Sequence, residues 1–297
     1  MNFLSKSVKL GFLMILVLAL LLSACGGQEE PAPEVEEPAE NDTVEESTEP
    51  EEAIGAKIQE IQDEGKIVLG TAADYPPYEF IAEVDGELQV VGFDIDIARE
   101  IADDLGVELE IRDMDFDGLL AALVAGNIDF IVAGMVPTEE RKESVDFSIP
   151  YYAAEQRFLV RAEDVDELNS IEALEGKRIG AQMSTVQETI AEEMIENPAE
   201  RRYLSRINDL VMDLKSGRID GIVLVGPVAS AYATADSALE LSDISFGQED
   251  GVAIAVAKGN EDLVASINET LQRLMDNDMI DQFIADATEL ADEQQVE

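Results

Sequence analysis

Between Asp129 and Arg141 the chain reads Asp-Phe-Ile-Val-Ala-Gly-Met-Val-Pro-Thr-Glu-Glu-Arg. The apolar run Phe130 to Ala133 has the make-up of a buried strand and stops at Gly134. Pro137-Thr138 then opens a helical turn carrying two acids and Arg141. Free backbone N–H groups gather where a strand gives way to a helix start, and a guanidinium nearby adds a planar fork that can hold a carboxylate with two bonds. The chemistry on offer is anion binding. The alternative is a surface turn whose arginine pairs with Glu139 or Asp146.

A second stretch is built the same way. A strand expected at Arg178 to Ala181 is followed by Ser184-Thr185-Val186-Gln187-Glu188. Ser184 with Gln187, or Thr185 with Glu188, fits a capping box, so another helix start follows a strand. Its alternative role is to cap its own helix and nothing more.

The elements that must position these two stretches alternate between strand and helix. Ile67 to Gly70 is a short strand, followed by the loop Thr71 to Phe80. Asp85-Gly86 marks a hairpin turn before Val90-Val91. Ile97, Ile101 and Leu105 recur at helical spacing and Gly106 stops them. Val107, Leu109 and Ile111 alternate as a strand, Asp117 can cap the helix of Leu120 and Leu123, and Gly126 ends it. Phe147 to Val160 reads as a crossing between lobes, Ser170 as a cap, and Val252 to Val256 as a late strand. Leu263, Ile267, Leu271 and Leu274 form a helical stripe, with an acidic tail expected after them.

An internal echo divides the body. Leu123-Val-Ala-Gly126-Asn-Ile128-Asp129-Phe-Ile131-Val132 is matched 91 residues later by Leu214-Lys-Ser-Gly217-Arg-Ile219-Asp220-Gly-Ile222-Val223. Both read as helix end, glycine cap and strand. The repeat points to two similar α/β lobes, each with a mainly parallel sheet, and such sheets hold ligands beyond the carboxyl ends of their strands. We place residues 54–152 plus 249–297 in one lobe and 153–248 in the other, with the site in the cleft between them.

With 19 Lys+Arg against 66 Asp+Glu, the formal charge of −47 excludes a nucleic-acid surface and disfavours docking on anionic lipid. The same excess suits a surface hydrated in high salt or exposed to alkaline medium. There is no histidine and one cysteine, so imidazole bases, catalytic thiolates, and metal sites built on histidine and cysteine are all lacking. Residues 1–24 combine Lys6 and Lys9 with the apolar run Leu10 to Leu22, 13 residues long. A membrane span needs about 20, so this reads as a signal peptide. Leu22-Ser23-Ala24-Cys25 resembles a bacterial lipobox, which makes Cys25 the lipidation site. Residues 26–53 hold twelve acids, no base and four prolines, the composition of an extended tether.

Taken together, the body resembles the extracellular solute-binding proteins of ABC importers, in the polar amino-acid family related to the glutamine- and histidine-binding proteins. The resemblance rests on Ala73 to Phe80, Gly92-Phe93-Asp94-Ile95-Asp96, Phe116-Asp117-Gly118-Leu119, Ala133-Gly134-Met135 with Thr138 to Arg141, Phe147 to Tyr152, and Gly259-Asn260-Glu261-Asp262. It implies a two-lobe, type II periplasmic-binding-protein-like α/β fold, an amino-acid-like solute, a membrane permease as partner, no catalysis and no cofactor. By the same resemblance, Tyr75 and Phe116 sandwich the ligand and Arg141 holds its carboxylate with backbone groups near Ala133, Gly134 and Val136. Thr185 is the second lobe's donor. The chain departs from the pattern at Val136 and Ser184, and at Val225, where an acid often pairs with the ligand ammonium. That departure points away from an ordinary α-amino acid and toward a compatible solute such as ectoine or a betaine. A dehydratase on the same fold would need Asp74 poised over the ligand, and Asp74 could also replace the missing acid. A lipid-anchored monomer on the extracellular face of the membrane is expected.

Overall fold

The computed structural model describes residues 55–293. The signal segment, Cys25 and the tether expected before residue 54 lie outside these residues, as do positions 294–297.

Two five-stranded sheets form the centres of the two lobes. In the first the strands lie side by side in the order Glu108–Asp113, Lys66–Thr71, Phe130–Ile131, Ala255–Ala257, Val145–Phe147. In the second the order is Glu200–Leu204, Arg178–Gln182, Gly221–Val225, Glu155–Arg161, Leu239–Gln248. The first three strands of each are parallel and the last two pair antiparallel. The sheets are therefore mixed, not mainly parallel. The antiparallel strands flank the two crossings, where the chain enters or leaves a lobe and must run against its neighbours.

Those crossings lie against each other. Tyr151 N–H donates to the Val252 carbonyl at 3.0 Å, Val252 N–H to Tyr152 at 2.7 Å, and Glu249 N–H to Ala154 at 3.2 Å. A two-stranded connection of this kind lets two lobes rotate about it as a hinge.

The echo persists at atomic detail. Asp129 N–H donates to the Val68 carbonyl at 2.8 Å while its carboxylate accepts from Val68 N–H at 2.8 Å. Asp220 does the same to Arg178, at 2.7 and 2.8 Å. In each lobe an acid just before the central strand clamps the start of its neighbour. Above it, a Cβ on Gly70 would lie 2.3 Å from Ile128 Cδ1, and one on Gly180 2.6 Å from Ile219 Cδ1. Both neighbouring strands carry glycine because the repeated isoleucine packs on bare backbone.

The helices follow their apolar spacing, with some shifts. Phe93–Leu105 buries Ile97, Ile101 and Leu105 and ends at Gly106 in the left-handed region. Glu261–Asp276 buries Leu263, Ile267, Leu271 and Leu274, each side chain contributing about 1.5 to 3 kcal/mol of apolar burial. Helix Phe116–Val124 begins at Asp115, so Asp117 sits in its first turn and is not the cap. Three helices escape the sequence reading, one of them Gly226–Ala235 after the second lobe's central strand. Ala56–Glu64 precedes the first strand. Met279–Glu293 replaces most of the expected acidic tail, burying Ile280, Ala287 and Ala291 on one face. Among the described residues no helix is long and apolar enough to cross a membrane.

Candidate functional site

The two strand-to-helix stretches face each other across the cleft. In the first lobe Thr138 caps helix Glu139–Ser144, its hydroxyl accepting from Arg141 N–H at 3.3 Å. The Arg141 side chain is thereby turned back into the cleft, where it is 8% exposed. In the second lobe Thr185 caps helix Val186–Glu193 and accepts from Glu188 N–H at 3.3 Å, while the Glu188 carboxylate accepts from Ser184 N–H at 2.5 Å. The reciprocal bond of the box reaches one residue further back than the usual pattern.

Among the described residues Arg141 has no counter-ion. Its Nη1 donates to the Val136 carbonyl at 2.7 Å and its Nη2 crosses the cleft to the Ser184 carbonyl at 2.8 Å. Glu139 pairs with Lys142 and Asp146 with Lys258, so neither serves as the surface partner of the alternative reading. The guanidinium lies over the Phe116 ring, 5.4 Å from its centre, an attractive cation–π arrangement. Burial without a partner pushes its pKa down to about 10, because desolvation disfavours the charged form.

Glu79 presents the opposite case. It faces Tyr75 across the pair of strands Asp74–Tyr75 and Glu79–Val84, is 1% exposed, and has one carboxyl oxygen without a hydrogen-bond partner. Burial, with Asp94 beside it, raises its pKa well above the usual carboxylate range. Asp94 is pushed up to about 6, also by burial, although it accepts from Tyr151 Oη at 2.7 Å and Gly134 N–H at 2.8 Å and is hydrogen-bonded to Glu79. The two are a hydrogen-bonded pair of acids, and their shared burial disfavours charge on both.

Between these two groups lies a narrow slot. Tyr75 and Phe116 supply aromatic surface, and the Tyr75 hydroxyl accepts from Gln187 Nε2 at 3.3 Å. Gly134 is required where it stands: at φ 53 its backbone passes so close that a Cβ would lie 3.1 Å from the Tyr75 ring. Ala133, Val136 and Thr185 complete the wall, with Ala72, Gln182 and Val186. About 10 Å³ of free space remains, room for about one water. This is the closed cleft, and a larger guest needs the lobes to part.

Three of the expected site residues lie elsewhere. The Asp74 carboxylate accepts from Ile207 N–H in the second lobe at 2.7 Å, its carbonyl accepts from Tyr232 Oη at 2.9 Å, and it does not line the slot. One of its oxygens is thus engaged across the cleft, while the other, Oδ1, is buried without a hydrogen-bond partner. Ser184 contributes its carbonyl to Arg141, with its side chain toward the outer face. Val225 ends its strand at the start of helix Gly226–Ala235, fully buried, and its backbone bonds the Tyr75 hydroxyl. Conversely, Glu79 and Gln182 line the slot and were not expected there. Glu79 stood in a stretch already singled out, and the register of a hairpin opposite Tyr75 was the signal that could have found it.

Among the described residues no cluster of acid or thiol side chains could hold a metal ion. The arrangement places a guanidinium, aromatic walls and a carboxyl group around one slot between two lobes.

Known proteins share this architecture. The arginine-binding extracellular protein ArtP of Bacillus subtilis is 35% identical over 215 residues, 71% of this chain and 82% of its own. A probable histidine-binding protein of Campylobacter jejuni is 34% identical, covering 73% of this chain and 82% of its own. Among solved structures, the amino acid ABC transporter substrate-binding protein AbpA of Streptococcus pneumoniae, bound to L-arginine, matches with a TM-score of 0.76 at 34% identity, covering 78% of this chain and 98% of its own. An ancestral arginine-binding protein bound to glutamine matches with a TM-score of 0.69 at 37% identity, covering 74% and 96%. The model of the bacterial extracellular solute-binding proteins, family 3, matches residues 67–286, and the chain belongs to that family.

Proposed function

We propose that this protein captures a small amino-acid-like zwitterion and delivers it to an ABC permease. The ligand carboxylate binds Arg141, its hydrocarbon part lies against Tyr75 and Phe116, and its cation meets Glu79. The observation that carries this reading is a buried arginine without a counter-ion and a buried carboxyl without a hydrogen-bond partner on one of its oxygens, both facing one slot. An uncompensated buried charge is destabilising by several kcal/mol; a ligand carboxylate compensates the one on Arg141, and a ligand cation pairs with Glu79 once that carboxyl gives up its proton. A bound carboxylate also engages groups from both lobes, which favours the closed cleft. Cys25 carries lipid after removal of residues 1–24, and the protein works as a monomer on the extracellular face of the membrane.

A thermal-shift screen of amino acids, betaines and ectoine-like solutes tests the reading. A ligand at 100 times its dissociation constant adds about 2.7 kcal/mol of native-state stability. At least one zwitterion is expected to raise the melting temperature. No shift with any carboxylate-bearing compound would overturn the proposal. For the anchor, mass spectrometry of membrane fractions should find a diacylated Cys25 peptide, and Cys25→Ser should free the protein.

A further inference from the structure

The second lobe's wall of the slot is Gln182, Thr185, Val186 and Gln187, and its polar side chains have already given hydrogens to the protein. The Thr185 hydroxyl donates to the Gln182 carbonyl at 2.6 Å, so its proton is not left for a guest. Gln182 Nε2 donates to the Ser205 carbonyl at 2.9 Å. Gln187 Nε2 gives one hydrogen to Tyr75 Oη at 3.3 Å and the other to Gln156 Oε1 at 3.0 Å.

Acceptors decide which way these amides face. A backbone carbonyl only accepts, so Gln182 turns its nitrogen toward Ser205. Gln187 is fixed one step further out. Gln156 Nε2 donates to Glu249 Oε2 at 2.8 Å, which leaves Gln156 Oε1 to receive Gln187. Glu249 Oε1 and Asp74 Oδ1 are buried without hydrogen-bond partners, but neither residue lines the slot; Glu249 and Gln156 line a neighbouring groove. What Gln182 and Gln187 have left is the amide oxygen. Among the described residues no donor reaches either Oε1, and the two residues are only 3% and 5% exposed.

Building on the zwitterion reading above, we propose that Gln182 and Gln187 determine specificity: their amide oxygens receive the nitrogen-bound hydrogens of the guest's cation. The slot then takes ammonium, amidinium or guanidinium carboxylates and rejects fully N-methylated betaines. Gln156 is a positioning residue that acts through Gln187. A quaternary ammonium carries the same charge as a primary one but has no N–H, so it would enclose both oxygens without a donor, the failure that a hydrogen-bonding site penalises most. Glu79 remains the charge partner, and the two oxygens choose which cation reaches it. Of the compatible solutes suggested by the sequence, an ectoine-like amidinium qualifies and a betaine does not.

Calorimetric titration of the full protein with three matched pairs tests this: glycine and glycine betaine, 4-aminobutanoate and its trimethylammonium form, L-lysine and its hexamethyl form. At least one N–H-bearing compound is expected to bind at least tenfold tighter than its methylated partner. Gln182→Met, Gln187→Met and Gln156→Met, the last outside the slot, should each cut that preference at least threefold. Methylated compounds binding as tightly as their partners would overturn the inference and leave the zwitterion reading standing. So would a preference that stays within threefold of wild type in all three variants with their fold intact by circular dichroism, because it would then reflect the bulk of the methyl groups. Binding of none of the six compounds would also overturn the inference, and together with no shift in the solute screen it would remove the zwitterion reading itself.

Discussion

Arg141 and Arg206 both reach across the cleft, and their surroundings are opposite. Arg206, at the start of helix Ile207–Lys215, meets Asp115 at 2.6 Å and Asp113 at 2.9 Å, and its side chain is 27% exposed. Beside it, Ile207 N–H is capped by Asp74 of the other lobe. Arg141 is more deeply buried and donates only to carbonyl oxygens. The lip at Arg206 is therefore complete with protein groups alone, whereas Arg141 has no acidic partner among the described residues, and under the proposed function a guest supplies it. The lip provides a closed geometry to visit, and the ligand supplies the free energy that holds it.

The largest effect that would break this contrast is at Arg141. Truncating one partner of a buried, hydrogen-bonded charge pair costs about 2 to 5 kcal/mol, roughly 30- to 3,000-fold in affinity. Arg141→Ala should lose that much in calorimetry. Without ligand the order reverses: Arg141→Met removes an uncompensated buried cation and should melt at or above the wild-type temperature.

The next effect is on pH. Glu79 must lose its proton to pair with a cation, so affinity for a cationic ligand should rise with pH, with about one proton released per ligand. Calorimetry in two buffers of different ionisation enthalpy measures that release, and none would mean that Glu79 does not meet the cation. Stability of the empty protein should move the other way. Burial raises Asp74 and Asp94 to about 6 and Glu249 to about 7, so the folded state binds more protons than the unfolded chain between roughly pH 4 and 7. Stability then falls as pH rises through that window. Self-repulsion from the net charge of −47 acts in the same direction. Melting should therefore be higher at pH 5 than at pH 7.5, and added NaCl should narrow the gap. A gap that salt leaves untouched would assign it to the buried acids alone.

The smallest effect belongs to the lip. Partly exposed ion pairs contribute about 0 to 1 kcal/mol, so Arg206→Ala should weaken binding less than tenfold, mostly through faster ligand release measured by stopped flow. A loss as large as that of Arg141→Ala would erase the distinction between the two arginines.

The arginine of the slot was legible in the sequence, because a strand, a glycine, a Pro-Thr start and an arginine within one helical turn follow local rules. So was the echo, since glycine caps and apolar periodicity are local too. What stayed hidden depends on contacts between distant segments. Asp74 meets Ile207, 133 residues away, and nothing near Asp74 announces it. The antiparallel strands at the crossings are short or irregular and take their direction from the other lobe's topology. The last helix was obscured by its acids, although Ile280, Ala287 and Ala291 share one face. Glu79 looked like an ordinary polar residue in a hairpin because its burial is created by Asp94 and Tyr151, from a helix and a crossing that the hairpin itself does not contain.

The claim that Arg141 waits for a carboxylate is tested most directly by a double-mutant cycle between protein and ligand. The solute with the largest thermal shift and its primary carboxamide would each be titrated into wild type and Arg141→Ala. The account predicts at least a 30-fold preference for the carboxylate in wild type, shrinking to threefold or less in the variant. An equal preference in both proteins would contradict it.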